Sequence, residues 1–242
     1  MEKRTVMPNL FTVCNLLCGF LSIAYASQGR LVPAAWLIVI AGFLDAFDGK
    51  IARLLDAPST SRFGVQFDSL ADVCSFGVAP AVLMFSYYTD LLAIRWLPFT
   101  VCFFFLLCGA LRLARFNTQQ EGFDKDDFNG LPTPPAAATL AAFIVFTQRV
   151  WESSHEPQVA VPLCVMISLL MISPFDYPAF PKFSFETRKD RARLILALTA
   201  AVLIILFTDE AFFPIALCFA LSGAARWLFN LITHREVADA GS

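Results

Sequence analysis

Charge is what this sequence has least of: Asp, Glu, Lys and Arg make up 16% of its 242 residues, against about 25% in an ordinary globular chain. With 57% of the residues apolar, so few charges cannot clothe a water-soluble domain of this length. Disorder is excluded too, because it requires low hydrophobicity with high net charge. The seven cysteines are odd in number and sit in or beside apolar runs (Cys14, Cys18, Cys74, Cys102, Cys108, Cys164 and Cys218), which fits packing and not a disulfide framework. A net charge of −2 indicates no nucleic-acid partner, because such binding needs a clustered basic face to neutralise phosphates, though the net value conceals a strong segregation of charge. There is no low-complexity tract, and no internal repeat of the kind that marks many transporters.

What is present is a series of apolar runs long enough to cross hydrocarbon, which takes about 20 residues. Eight candidates lie at about 9–28, 31–53, 66–88, 93–113, 132–150, 158–175, 192–208 and 211–231. The expected fold class is therefore all-α, a polytopic membrane helix bundle of about eight spans. The first run also has the form of a signal peptide, with Lys3, Arg4 and the small-residue site Ala24-Tyr25-Ala26, but a multispanning chain can keep its first helix as an anchor.

Basic residues fix the orientation. With the N-terminus in the cytoplasm, that side holds Lys3, Arg4, Lys50, Arg53, Arg62, Arg112, Arg115, Lys125, Lys182, Arg188, Lys189, Arg191, Arg193, Arg226 and Arg235. The other side holds Arg30, Arg95 and Arg149. Fifteen against three places both termini in the cytoplasm by the positive-inside rule, and in a bacterium the inner membrane is implied. The basic group from Lys182 to Arg193 reads as a cytoplasmic anchor able to attract anionic headgroups.

Against this apolar background stand Asp45, Asp48, Asp68 and Asp72, inside the second and third spans. Each would cost about 2.5–3.5 kcal/mol at the centre of a membrane helix, so something must compensate them. Spacings of three and four put each pair on one helix face, and the polar turn from Asp56 to Arg62 lets the two pairs face each other across an antiparallel hairpin. Carboxylates from facing helices are a usual way to build a metal site in a bundle, and an all-oxygen set suits Mg²⁺ or Mn²⁺. Two such ions would be arranged for in-line phosphoryl displacement. The plainer alternative is ion pairing with Lys50, Arg53 and Arg62. Gly49 and Gly64, on the same faces, weigh against it, since glycine in a helix costs about 0.8–1.0 kcal/mol and its usual benefit is close approach by a ligand or backbone.

These residues spell Asp45-x2-Asp48-Gly49-x2-Ala52-Arg53 and then Gly64-x3-Asp68-x3-Asp72, which resembles the signature of the CDP-alcohol phosphotransferases, integral membrane enzymes of phospholipid synthesis. Ten residues separate Arg53 from Gly64, where the family commonly has about eight; the extra length falls in the turn. Within the family the chain is most similar to the serine-accepting branch. That likeness rests on Pro8-Asn9-Leu10-Phe11-Thr12, the run from Phe67 to Pro80, Gly109 to Asn117, Gly130-Leu131-Pro132 and Tyr177-Pro178-Ala179-Phe180.

The resemblance implies a six-helix catalytic core over residues 1–182, with 183–242 as an added helical pair and tail. It further implies transfer of a phosphatidyl group from CDP-diacylglycerol to L-serine with release of CMP, and a homodimer in the membrane lipids. By motif position, Asp45, Asp48 and Asp68 would hold Mg²⁺ or Mn²⁺, and Asp72 would touch a metal and act as general base. Asn9, Thr12, Gly49, Ala52, Arg53 and Gly64 would face the CDP-lipid, with Ser59 and Ser61 further candidates in the turn. Arg112, Arg115 and Asn117 are the candidates for serine or phosphate, because guanidinium forks bind carboxylate and phosphate bidentately.

Other chemistries fit less well. His155 and His234 have no Lys two residues on, which excludes covalent histidine catalysis of the phospholipase D kind. Membrane prenyltransferases space their Asp motifs much farther apart. A carboxylate-based cation transporter predicts acids near the midplane, whereas these cluster toward one face. A sibling enzyme using glycerol 3-phosphate, inositol phosphate or choline shares the signature and differs only in the acceptor.

Overall fold

The computed structural model describes residues 3–54, 62–89, 96–119, 127–150, 157–178, 199, 202–204 and 206–239. Each long apolar run in that set becomes a helix: α1 Lys3–Ser27, α2 Leu31–Leu54, α3 Arg62–Asp72, α4 Ala79–Thr89, α5 Trp96–Gln119, α6 Thr133–Arg149, α7 Pro157–Ile172 and α8 Thr208–Asp239. A π-helical segment, Val73–Val78, joins α3 to α4 without a break, so residues 62–89 form one rod. Most of the expected 192–208 span lies outside the described residues.

Among the described residues, four helical stretches are long and apolar enough to cross a membrane: Leu10–Ser27, Phe63–Tyr88, Trp96–Thr118 and Thr208–Thr233. The apolar stretches Leu31–Phe47 and Gln158–Ile172 are shorter. The molecule is thus a membrane helix bundle, and its surface confirms the solvent. Leu10, Val13, Leu17 and Phe20 are exposed along α1, and Phe99, Phe103, Leu107 and Leu111 along α5. Apolar stripes at helical spacing, turned outward, suit lipid and not water.

Inside, small residues let backbones approach. Gly29 takes a positive φ of 73° and closes the turn between α1 and α2. Along that hairpin Ala34, Ala35 and Ala41 are fully buried, and the Ser22 hydroxyl donates to the Ala34 carbonyl at 2.8 Å. Helices in lipid associate through such close packing and polar ties, because hydrocarbon offers no hydrophobic drive between them. The centre is α6, in which every residue from 139 to 145 is buried. It packs against α2, α4, α7 and α8.

One short ladder accompanies the helices. Asp127–Asn129 and Asp176–Pro178 form a short antiparallel ladder, β1 and β2, with Phe128 opposite Tyr177. Three-residue strands carry no periodicity signal, which is why the pattern of the sequence does not announce them. Tyr177 is buried and donates its phenol hydrogen to the Ala220 carbonyl of α8 at 2.7 Å. Its ring lies where α8 has Gly223; a Cβ there would fall 2.7 Å from a ring carbon. The ribbon is thereby fastened to the last helix. Aromatic contacts extend the join: Trp36 of α2 stacks on Phe212 at 5.8 Å between centroids, and Phe143 of α6 meets Phe213 edge-on at 5.4 Å.

Gly130, which follows β1, has φ of 84°, and a Cβ on it would collide with the Met171 carbonyl oxygen and lie 3.1 Å from that of Ser173. Gly130→Ala is expected to lower stability by about 2 kcal/mol or more, combining the left-handed backbone cost with a displaced backbone. Thermal unfolding in detergent would register this as a fall of several degrees.

Candidate active site

Three of the four expected acids converge. Carboxylate oxygens of Asp45 from α2 and of Asp68 and Asp72 from α3 all lie within 4.8 Å of one another. The four-residue spacing stacks Asp68 over Asp72 on one face, and the hairpin brings Asp45 across to meet them. Asp48 belongs to the helical backbone of α2, but its side chain lies outside the described residues, as do those of Asn9, Gly49, Lys50, Ala52, Arg53 and Arg62; Ser59 and Ser61 lie outside them entirely.

All three acids are partly buried, and Asp68 Oδ1 is a buried oxygen with no hydrogen-bond partner among the described residues. An unpartnered carboxylate oxygen in a low-dielectric site is costly, and a cation is the group that removes the cost. The donor set is all oxygen and converges from two helices, so the residues fit Mg²⁺ or Mn²⁺. Gly64, one turn before Asp68, is buried and leaves room for a close approach.

Asp72 is held from the neighbouring helix by a residue that the motif spacing did not single out. Asn15 of α1 is fully buried, and its Nδ2 donates to Asp72 Oδ1 at 3.3 Å. The π segment starts at the next residue, Val73, and makes this placement possible. Its widened turn, closed by the Ala79 N–H on the Cys74 carbonyl, buries Ser75 against α1. There the Ser75 hydroxyl donates to the Asn15 carbonyl at 3.0 Å. Gly19 permits the contact: a Cβ on it would strike Ser75 Oγ and come within 2.8 Å of Ser75 Cα. Single π turns inside α-helices recur at functional sites, where they re-aim side chains. A buried Asn one helical turn before a Gly, on a helix flanking an acid pair, is the signal that could have found Asn15. Thr12, also on α1, is buried.

Of the three acceptor candidates on α5, two are drawn inward. Arg112 is 9% exposed, donates from Nη1 to Thr133 Oγ1 at 3.4 Å and lies over the Phe116 ring at 5.6 Å. It is within electrostatic reach of Asp72. Asn117 is tied to the acid helix, donating from Nδ2 to Ser69 Oγ at 2.8 Å, while Ser69 donates back to the Val65 carbonyl. Arg115 is exposed.

A membrane helix bundle with acids from a helical hairpin gathered beneath a buried arginine defines a class, and sequence comparison assigns it. Residues 5–173 match the family model described as CDP-alcohol phosphatidyltransferase, and the chain belongs to that family. It is 34% identical over 228 residues to the CDP-diacylglycerol–serine O-phosphatidyltransferase of Helicobacter pylori, covering 94% of this chain and 93% of that one. It is also similar to the archaetidylserine synthase of Methanothermobacter thermautotrophicus, 37% identical over 172 residues, or 71% of this chain and 69% of that one.

Two outcomes follow from this geometry. Asp68→Asn is expected to weaken Mn²⁺ binding at least tenfold, since it removes a charge from the three-acid set; calorimetric or electron-spin titration measures it. Gly19→Ala should push Ser75 off α1 and disturb Asn15 and Asp72, lowering kcat by about tenfold or more, as misplacement of about 1 Å can cost still more.

Proposed function

We propose that the chain transfers the phosphatidyl group of CDP-diacylglycerol to the hydroxyl of L-serine, giving phosphatidylserine and CMP. The convergence of Asp45, Asp68 and Asp72 carries this reading, in a chain whose relatives of similar length are named for serine transfer. Those three acids with Asp48 would hold two Mg²⁺ or Mn²⁺ ions, whose charge would offset that of the diphosphate and of departing CMP.

The rest falls to this chain's residues. The serine oxygen forms a bond to the phosphorus bearing the diacylglycerol, and the bond from that phosphorus to the bridging anhydride oxygen breaks. That oxygen leaves with the electron pair on CMP. The hydroxyl proton goes to Asp72, an intrinsically weak base that works through proximity and orientation, which the Asn15 amide supplies. Gly49, Ala52, Arg53 and Gly64, with Asn9, Thr12, Ser59 and Ser61, serve the CDP-lipid side by their place in the motifs. Arg112 is suited to the serine carboxylate by its planar fork and its burial.

The same reading completes the membrane arrangement. The four long apolar stretches, with α2, α6, α7 and the run at 192–208, make eight crossings of the inner membrane. The fifteen-to-three distribution of basic residues puts both termini and the acid cluster on the cytoplasmic side, where soluble serine and the lipid donor meet.

Purified protein in detergent, given CDP-diacylglycerol, Mn²⁺ or Mg²⁺ and one candidate alcohol at a time, tests the proposal through CMP release. Serine-dependent release that falls at least 100-fold in Asp72→Asn is the expected outcome. Release with glycerol 3-phosphate, inositol phosphate or choline instead would keep the family and overturn serine. No release with any acceptor would overturn the reaction.

A further inference from the structure

The proposed reaction assigns the metals, the base and the CDP-lipid, but leaves open how a small acceptor with both charges is told from one with a single charge. Two buried polar atoms, one on Asn15 and one on Arg112, bear on it. Asn15 is 0% exposed, and among the described residues its Oδ1 has no hydrogen-bond partner. Arg112 is 9% exposed, and its Nε likewise has none among them. The orientation of the Asn15 amide is not arbitrary. A carboxylate accepts only, so the NH₂ must face Asp72, which leaves the carbonyl oxygen turned elsewhere. Burying such an oxygen without a donor costs free energy, and so does burying a guanidinium N–H without an acceptor. The two unmet atoms are complementary in kind: one lacks a donor and the other an acceptor, and while Asn15 hydrogen-bonds Asp72, Arg112 lies within electrostatic reach of that acid.

We propose that Asn15 reads the ammonium group of the acceptor: its Nδ2 holds Asp72 while its Oδ1 accepts from the substrate's NH₃⁺, with the substrate carboxylate met by Arg112 and the hydroxyl by Asp72. This deepens the serine reading and rests on it. Three contacts of different character select a zwitterionic amino alcohol. Glycerol 3-phosphate and inositol phosphate bring an anion with no cation, choline a cation with no anion, and neither kind satisfies both atoms. Asn15 is thus a specificity-determining residue that also positions the base, and the two tasks can be separated.

Two variants and two acceptors separate them. 3-Hydroxypropanoate is serine without the ammonium group. Wild-type protein is expected to prefer serine over it in kcat/KM. In Asn15→Ala that preference should shrink about 10- to 100-fold, the value of one hydrogen bond to a charged group, chiefly through a raised KM for serine. Asn15→Asp keeps an oxygen directed at the substrate but loses the donor to Asp72. It should retain the preference while kcat falls with both acceptors alike. Stabilisation of each variant by CMP in thermal unfolding reports that the nucleotide side is intact.

If Asn15→Ala does not fold, Asn15→Asp still decides, since loss of the preference there overturns the proposal. An equal fall in activity toward both acceptors in Asn15→Ala, with the preference unchanged, also overturns it and leaves Asn15 as a support for Asp72 only. Absence of serine-dependent CMP release from the wild type is a distinct failure, which brings down the serine reading and this inference together.

Discussion

Every polar arrangement around the site follows from one constraint: three carboxylates must share a space within apolar helices. Hydrocarbon gives them no solvation, and each would cost about 2.5–3.5 kcal/mol at the membrane centre if left alone. Crowding makes matters worse, because like charges at this distance oppose one another's ionisation. A divalent cation and a diphosphate substrate answer that cost from outside the chain. From inside it, α1 contributes the Asn15 amide and α5 sets Arg112 within reach of Asp72 and ties Asn117 to Ser69.

The means by which α1 comes so close are small residues and a distorted turn. Gly19 and Ala34 thin the two sides of α1's packing, and the π segment swings Ser75 onto the α1 backbone. Elsewhere several hydroxyls are settled locally. Thr139, Thr147 and Ser168 donate to carbonyls three or four residues back in their own helices. Of the side-chain bonds held across helices, those of Asn15, Ser75 and Asn117 surround the acids, where positional accuracy serves chemistry, while those of Ser22, Thr139 and Tyr177 fasten the helices elsewhere.

The last helix joins this scheme from a distance. The family model ends at residue 173, yet α8 packs on α6 and anchors β2 through Tyr177. Beside it, Gly130 leads from β1 into Leu131 and the Pro-rich start of α6, and the Leu131 N–H bonds to the Leu170 carbonyl. Thr133, at the start of α6, is the partner of Arg112. A continuous run of packed backbone therefore connects α8 with a side chain of the site.

The sequence by itself determined the bundle, its lipid-facing character and the acid pairs, because hydrophobic length, helical spacing and the cost of charge in hydrocarbon are local properties of the chain. It also marked Gly130-Leu131-Pro132 and Tyr177-Pro178, though only as a likeness; the reason, a paired ribbon locked to Ala220 and Gly223, needs residues that are far apart in the chain. Asp45 meeting Asp68 and Asp72 was legible from a hairpin of two amphipathic acid faces. Asn15 showed there only as an asparagine one helical turn before Gly19 in an apolar helix, a spacing that gains meaning once Ser75 and Gly19 bring α1 against Asp72. Nor could spacing tell Arg112 from Arg115, three residues apart on one helix. Only tertiary packing buries the first against Thr133 and leaves the second exposed, because burial depends on what the neighbouring helices place opposite each face.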